Sequence, residues 1–191
     1  MKSFTSSNAN IIKSNTPKFS RAINSNTCSK FGSLTSRLQN ELHHLMMNPI
    51  DGVTAFPESE SDFTRWCGTI IGAKDTPYEG LVFKIILKFP TNYPYQAPIV
   101  KFTTPIFHPN VGSKGDICLD ILKDSWSPIL NVQTLLVSLQ SLLGEPNTKS
   151  PLNGTAARLW DKDIKSFKKA VLLVKETGQD GISSFCYGSA L

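Results

Sequence analysis

Apolar positions follow different spacings in successive parts of the chain, and the first spacing predicts a helix. Apolar side chains recur at three- and four-residue steps at Leu34, Leu38, Leu42, Leu45 and Met46. Residues at these steps form one face of an amphipathic helix. Ser33 is suited to cap its start and Asn48-Pro49 to stop it, so we predict a helix between these positions.

Between Gly52 and about Phe102 the pattern becomes that of β-strands. Three stretches are β-branched and aromatic, with turn-forming segments between them: RWCGTIIG (65–72), LVFKIILKF (81–89) and PIVKFTT (98–104). Short connections favour antiparallel neighbours, so we predict a meander of about four strands. Cys67 lies within a strand pattern, where we expect a small buried apolar side chain. The aromatic-proline step at Tyr93-Pro94 predicts a cis peptide bond.

A long segment without a clear period (104–131) follows the strands, and helical spacing then returns. Residues 132–144 carry five leucines at helical steps, with Asn131 suited to cap the start and Gly144 the end. Residues 153–176 predict further helix, with Asn153 as an N-cap and Asp161 opening a second segment. The order of a helix, an antiparallel sheet, an irregular segment and helices predicts an α+β domain.

The two ends of the chain differ from this domain. Residues 1–32 are rich in Ser, Asn, Thr and Lys and show no apolar period, so we predict a disordered arm. An import signal can also be serine-rich and free of acids, but arginine is scarce here and no amphipathic stripe is visible. We predict one folded domain over 33–177 and a flexible tail over 178–191.

Charge and composition exclude several classes of function. The net charge of +5 resides in residues 1–33, which hold five basic side chains and no acid, and the remainder is balanced at 15 of each sign. A balanced body argues against binding to nucleic acid. No apolar run suggests a membrane span or a signal peptide. Four widely separated cysteines without ligand spacing argue against zinc and disulfides and favour a cytoplasmic or nuclear location.

The irregular segment contains the candidate chemistry, because long segments of this kind in compact domains are usually functional. HPNVGSKGDICLD (108–120) places one cysteine, Cys118, ten residues after one histidine, His108. Cys118 is a candidate nucleophile. His108 lies on a turn stiffened by Pro109, which is a poor place for the base of a cysteine hydrolase.

These residues resemble the core of the ubiquitin-conjugating enzymes. The resemblance rests on HPN, a cysteine eight residues after its asparagine, ICLDIL around that cysteine and W-S-P shortly afterwards. It extends through FPTNYPYQAP, LLGEPN and SPLNGTAA and covers roughly residues 33–176. It implies the fold of these enzymes around a long active-site loop. AFPES, YPYQAP, SLLGEPN and SPLN are most similar to members that work with the anaphase-promoting complex.

The resemblance implies a chemistry in which Cys118 needs no strong base. Cys118 would accept the C-terminus of ubiquitin as a thioester and pass it to a lysine, and a thiol is already a few per cent thiolate at neutral pH. Asn110 would donate to the oxyanion, or its side chain would hold the active-site loop. His108 would brace that loop through its imidazole, and Pro109 would stiffen it.

The acceptor lysine must lose a proton before it attacks, and here the sequence departs from the family pattern. Many members have an aspartate immediately before the proline and leucine that correspond to Pro151 and Leu152, whereas this chain has Ser150. Asp120 and Asp124 flank the cysteine and are candidates to orient the amine, or they are simply solvated. The substrate or ubiquitin itself could also supply the missing group.

The resemblance also implies the partners. RING-type ligases would bind Arg37 on the first helix and Tyr95, Pro128 and Ile129 on two loops. Ubiquitin, its activating enzyme and protein substrates complete the set, and the expected protein is a monomer. No cofactor is expected on the chain, since the activating enzyme uses the ATP. The function would be to mark proteins for proteasomal degradation in the cell cycle.

Three alternative functions remain open beside ubiquitin conjugation. A SUMO-conjugating enzyme would carry extra residues between the cysteine and the tryptophan, and CLDILKDSW has none. A NEDD8-conjugating enzyme shares the spacing and has an N-terminal extension, although only Phe4 here resembles its apolar anchors. A non-catalytic ubiquitin-binding relative would lack the cysteine.

Overall fold

The computed structural model describes residues 28–178, with side chains from Leu34 onward. The chain forms an N-terminal helix α1 (Cys28–Met47) and four strands, β1 (Val53–Ser59), β2 (Asp62–Ile71), β3 (Val82–Lys88) and β4 (Ile99–Phe102). A short 3-10 helix (Asp120–Leu122) interrupts the loop that follows. Three helices end the domain, namely α2 (Val132–Gly144), α3 (Gly154–Lys162) and α4 (Ile164–Thr177). The predicted α+β order is confirmed.

The strands form one antiparallel sheet in sequence order, which confirms the predicted meander. One face carries large side chains that the helices bury, among them Trp66, Ile70, Phe83 and Leu87. The register aligns Phe56, Cys67, Ile86 and Lys101 across the other face. Cys67 is half-buried there rather than buried, because it lies on the face opposite the core, beside Phe56 and Ile86.

Helix ends agree with several predicted caps and correct others. Asn131 and Asn153 accept hydrogen bonds from the third residue of their helices, as predicted. The cap between the last two helices is Asp163 instead of Asp161, and Gly144 is the last residue of α2 while Glu145 caps it. The peptide bond between Tyr93 and Pro94 is cis, as predicted.

The first helix begins at Cys28, so Ser33 is not its N-cap. The sequence does not prevent an earlier start, because residues 28–32 contain no proline. Residues 28–32 of the predicted arm are therefore helical. The rest of that arm and residues 179–191 of the predicted tail lie outside the described residues. Within the described part, no helix is long and apolar enough to cross a bilayer.

The leucine face of α2 fills the space between the sheet and the other helices. Leu139 lies at its centre and is fully buried. We expect Leu139→Ala to lower the free energy of unfolding by about 2–5 kcal/mol, because it leaves a cavity in a packed core. Leu172→Ala on the half-exposed face of α4 is the matched control, with an expected change within about 0.5 kcal/mol. Urea denaturation measures both, and equal losses would contradict this packing.

Candidate active site

Cys118 lies at the end of a small hairpin attached to the edge of the sheet. Val111 and Ile117 form an antiparallel bridge, and the amide of Cys118 donates to the carbonyl of Asn110 at 2.9 Å. The amide of Phe102 in the edge strand β4 donates to the carbonyl of Gly115 at 3.0 Å. Backbone hydrogen bonds therefore fix the cysteine relative to the core.

The turn of this hairpin requires a glycine at position 115. Gly115 has a φ of 78°, in the left-handed region. A Cβ atom on Gly115 would lie 2.0 Å from the carbonyl oxygen of Phe102, so any other residue would push the hairpin off the strand. A salt bridge of 2.7 Å between Lys101 and Asp116 adds a second attachment at the same place.

His108 is fully buried and uses both ring nitrogens to hold backbone. Nδ1 accepts from the amide of Asn110 at 2.9 Å, so the proton of the neutral ring lies on Nε2, which donates to the carbonyl of Leu142 at 2.9 Å. Burial lowers the pKa of His108 to about 4, although the hydrogen bond with Leu142 acts to raise it. The imidazole thus ties the active-site loop to α2 and is in no position to act as a base for Cys118.

The low pKa of His108 makes stability depend on pH in a defined window. The folded protein holds His108 neutral down to about pH 4, while the unfolded chain takes up this proton near pH 6.5. Below pH 6.5 the unfolded state binds more protons, so stability falls as the pH drops from about 6.5 to 4, by up to about 3 kcal/mol.

The measurement is the free energy of unfolding at pH 7.5 and pH 4.5. His108→Gln keeps one donor and one acceptor without the titration, so we expect the variant to lose less stability than the wild type over this interval. Equal pH dependence in the two proteins would show that His108 is not the group responsible.

Asn110 is almost completely buried, and its side chain binds the backbone of one distant residue. Nδ2 donates to the carbonyl of Asn147 at 2.8 Å, and Oδ1 accepts from the amide of Asn147 at 2.7 Å. This pair joins the cysteine hairpin to the loop after α2. The side-chain amide has a second hydrogen on Nδ2, which neither of these two bonds uses.

Pro109 completes this junction through its backbone. Its carbonyl accepts from the amides of Leu152 and Asn153 at 2.8 and 3.0 Å. The segment 108–110 and the loop 147–153 are therefore held together by four hydrogen bonds, two to the carbonyl of Pro109 and two to the side chain of Asn110. Ser150 and Leu152 are exposed on this loop, and Ser150 makes no hydrogen bond to Cys118 in the described part of the chain.

The sulfur of Cys118 has a neighbour that sequence reasoning missed. Lys123 Nζ lies 3.1 Å from Cys118 Sγ, while Cys118 is partly exposed and Lys123 is exposed. The hydrogen bond to Cys118 and the charge of its sulfur, followed by the charges of Asp120 and Asp124, raise the pKa of Lys123. The predicted carboxylates are thus exposed and near Lys123, and neither forms a hydrogen bond with Cys118 in residues 34–178.

No group of three or more His, Cys, Asp or Glu side chains is arranged to hold a metal ion among the described residues. The site is therefore a partly exposed thiol on a fixed hairpin, with an amine beside it and a buried imidazole behind it. Such a site can exchange acyl groups with an incoming thioester, because the thiolate of a cysteine is the nucleophile in that exchange.

Comparison with known proteins agrees with this arrangement. A family model described as ubiquitin-conjugating enzyme matches residues 37–174. The chain is 57% identical over 140 residues to the ubiquitin-conjugating enzyme E2-20 kDa of Schizosaccharomyces pombe, which covers 73% of this chain and 80% of that protein. The chain belongs to the ubiquitin-conjugating enzyme family.

Family membership confirms the predicted family, fold and class of enzyme. The N-terminal helix, the four-stranded meander and the C-terminal helices are those of a ubiquitin-conjugating enzyme, which is a transferase in protein ubiquitination. Such an enzyme works with ubiquitin, an activating enzyme, ligases and protein substrates. The alternative of a non-catalytic relative is thereby set aside.

The predicted ligase surface of this ubiquitin-conjugating enzyme comprises two joined loops. Tyr95 and Ile129 are 81% and 85% exposed, and Pro128 is also exposed. Trp126 Nε1 donates to the carbonyl of Pro94 at 2.7 Å, which holds the loop of Tyr95 beside the loop of Ile129. Trp126 itself is half-buried at this junction and packs against Tyr93.

Arg37, also predicted to bind a ligase, is half-buried beside this surface. Its guanidinium donates to the carbonyls of Pro128 and Leu130 at 3.3 and 3.0 Å and forms an ion pair with Glu41. Partial burial acts to lower the pKa of Arg37, but the hydrogen bond and charge of Glu41 outweigh it and raise the pKa. Arg37 therefore ties α1 to the loop of Ile129.

Glu41 is the buried centre of this connection, and sequence reasoning gave no indication of it. Its carboxylate accepts from the hydroxyl of Tyr93 at 2.7 Å and from the amide of Val132 at 2.8 Å, so it joins α1, the cis-proline loop and the start of α2. A glutamate among polar residues of an amphipathic helix looks like a solvated side chain. The signal that could have indicated its burial is its spacing in the helix. Glu41 lies four residues after Arg37 and three residues after the apolar Leu38.

Proposed function

We propose that Cys118 accepts ubiquitin from the activating enzyme as a thioester and transfers it to substrate lysines. The observation that carries the proposal is the placement of a partly exposed sulfur at the end of a hairpin fixed to the sheet edge, with the nearby histidine committed to structure. Exchange between thiols of similar pKa is close to balanced, so the reaction needs access and a thiolate fraction rather than a base.

Among the described cysteine side chains, Cys118 suits this role better than Cys67. Both are half-buried, so exposure alone does not decide between them. Cys67 lies in the middle of β2 with its backbone paired on both sides and Phe56 and Ile86 as cross-strand neighbours. A ubiquitin tail would have to lie across the sheet to reach it, whereas Cys118 follows a loop.

Asn110 has two compatible roles in the transfer step. Its bonds with Asn147 fix the loop, and the second hydrogen on Nδ2 is proposed to donate to the oxyanion that forms when an amine attacks the thioester. His108 and Pro109 hold the same loop from behind. Asp120 and Asp124 are proposed to orient the acceptor amine beside Leu152, in place of the carboxylate that Ser150 lacks.

We further propose a RING-type ligase as partner, bound at Tyr95, Pro128 and Ile129, with Arg37 supporting the loop from α1. The exposed apolar side chains on two joined loops support this proposal. The motifs that resemble members working with the anaphase-promoting complex support that ligase as the partner. The role would then be proteasomal degradation in the cell cycle, in the cytoplasm and nucleus, by a monomer that binds no cofactor.

A thioester assay tests the modifier and the chemistry together. The full chain is incubated with ATP and either ubiquitin or NEDD8, each with its own activating enzyme, and is run on gels with and without reductant. A reductant-sensitive adduct with ubiquitin is the expected result. An adduct with NEDD8 and none with ubiquitin would overturn the proposal in favour of that modifier.

A further inference from the structure

Glu41 is the only acidic side chain that is buried among the described residues, and it is 7% exposed. Its partners come from distant parts of the chain. The hydroxyl of Tyr93 donates to Oε1 at 2.7 Å, and the amide of Val132 donates to Oε2 at 2.8 Å. Arg37, one turn earlier in α1, donates to Oε1 from Nε. One carboxylate therefore joins α1, the cis-proline loop and the start of α2.

The surroundings of Glu41 call for a group that only accepts hydrogen bonds. Its three partners are all donors at these positions, and an ionised carboxylate has roughly four lone-pair sites to receive them. A glutamine of the same shape has one oxygen and one NH2 group, so it could not accept from all three donors. The site thus requires both oxygens of Glu41, and a polar side chain of equal size is not sufficient.

The hydroxyl of Tyr93 links Glu41 to the first loop of the predicted ligase surface. Tyr93 is buried and stands two residues before the exposed Tyr95. On its other side the Tyr93 ring packs against Trp126, with 5.9 Å between ring centres. The bond to Glu41 therefore fixes the base of the loop while its tip remains exposed.

The guanidinium of Arg37 links Glu41 to the second loop. It donates from Nη2 to the carbonyls of Pro128 and Leu130, which flank the exposed Ile129. The ion pair with Glu41 holds the guanidinium in the orientation that these bonds need, since Nε points to the carboxylate and Nη2 to the carbonyls. Without the carboxylate, the side chain of Arg37 would be free to exchange the two carbonyls for water.

We propose that Glu41 is a positioning residue for the ligase, which acts through Arg37 and Tyr93 to hold the two loops in the conformation that a ligase binds. The inference rests on the proposed function, because it needs a ligase at Tyr95 and Ile129. A loop that is already ordered loses less conformational entropy when a partner binds, so preorganisation raises affinity without a new contact. Since Glu41 is buried, its contribution needs no contact with the ligase.

The hairpin that carries Cys118 is held by other bonds. Those described above join it to β4, to α2 through His108 and to the loop after α2 through Asn110, and none of them involves α1. The proposed effect is therefore on the concentration of ligase that is needed, and not on the reactivity of the thioester once the ligase is bound.

The test follows the discharge of preloaded ubiquitin to free lysine while the concentration of a RING-type ligase is raised. The full chain is loaded, ATP is removed and rates are counted per thioester. A panel of RING-type ligases that begins with the anaphase-promoting complex first identifies one that stimulates the wild type. We expect Glu41→Gln to raise the half-saturating concentration of that ligase roughly tenfold. The maximal stimulation, measured against the ligase-free rate of the same variant, should remain close to that of the wild type.

Two further variants separate this effect from a general loss of stability. Leu139→Ala opens the core without touching either loop, so its half-saturating ligase concentration should equal that of the wild type. Tyr93→Phe removes a single hydroxyl group and should give a smaller rise than Glu41→Gln. It also carries the test if Glu41→Gln does not fold. All variants are compared well below their unfolding transitions.

A double-mutant cycle tests whether Glu41 acts through Arg37. Arg37→Ala, Glu41→Gln and the double variant are each compared with the wild type. If the carboxylate acts through the guanidinium, the increase for the double variant should fall clearly short of the product of the two single increases. An increase equal to that product would show that the two residues act independently and would overturn this route.

The remaining outcomes separate the inference from the function on which it rests. A wild-type half-saturating concentration in Glu41→Gln and Tyr93→Phe, or an equal rise in Leu139→Ala, would show that the inference is wrong while the thioester chemistry stands. If the thioester forms but no ligase of the panel stimulates the wild type, the proposed ligase partner and the inference fail together. If no thioester forms on Cys118, the proposed function fails as well.

Discussion

Replacing Cys118 by alanine is expected to abolish the reductant-sensitive ubiquitin adduct completely. The sulfur atom is the proposed acyl carrier. The neighbouring Lys123 cannot replace it, since an acyl group on its amine would be held by an amide bond, which resists reductant. The hairpin should survive the change, because it is held through the backbone amide of Cys118 and not through its side chain. Gel analysis of the loaded protein with and without reductant measures the result.

Two variants sharpen this experiment. Cys118→Ser is expected to form an oxygen ester that persists in reductant, because the hydroxyl occupies the same place on the hairpin. Cys67→Ala, in the middle of β2, is the matched control and should load as the wild type does. Loss of the adduct in Cys67→Ala with retention in Cys118→Ala would show that the site assignment is wrong.

Most of the fold could be predicted because its elements repeat a short period. The leucines of α2 and the alternating strands around Trp66 each give a local pattern that names both the element and its buried face. Caps that use a side chain, such as Asn131 and Asn153, are visible for the same reason. The errors lie at the ends of elements. The first helix begins at Cys28, earlier than predicted, and the cap of the last helix is Asp163 rather than the nearby Asp161.

The sequence predicted only those active-site residues that belong to the family motif. The resemblance placed Cys118, Asn110 and His108 on one loop, and the structure brings them together through hydrogen bonds. The partners of these residues come from distant positions. Asn147 and Leu142 receive their bonds through backbone atoms, which no residue type reveals, so sequence patterns could not name them.

Lys123 illustrates a different limit of sequence reasoning. A lysine five residues after a cysteine, between two aspartates, has the composition of a solvated turn. Its contact with the sulfur depends on the 3-10 helix at Asp120–Leu122, which directs the chain back toward the hairpin. Such a short helix has no period to detect, so the contact emerges only from the folded backbone.

Asn110→Ala is expected to slow the transfer of ubiquitin from Cys118 to free lysine by about 10²–10³-fold, which is the usual cost of removing one oxyanion donor. The same change leaves the amide and carbonyl of Asn147 without their partners. Asn147 is exposed, so water can replace part of this loss, and we expect a cost below the roughly 1–3 kcal/mol of a fully buried orphaned group. A slower rate alone would therefore not separate the oxyanion role from the loop role.

Asn110→Asp separates the two roles. The aspartate can still accept from the amide of Asn147 but cannot donate to its carbonyl or to an oxyanion. If Asn110 acts as a donor, the discharge of preloaded Asn110→Asp should be as slow as that of Asn110→Ala. If it only holds the loop, the rate of Asn110→Asp should lie between those of Asn110→Ala and the wild type.

The comparison must be made on folded protein, so the free energy of unfolding of each variant is measured first and the discharge is followed well below the transition. Asn147→Ala is the matched control, because it removes the side chain that accepts from the amide of Lys149 in the same loop. The backbone of residue 147 can still donate to Oδ1 of Asn110 and accept from its Nδ2. Its transfer rate should fall far less than that of Asn110→Ala. An equal fall in both would assign the effect to the loop and remove the case for a donor.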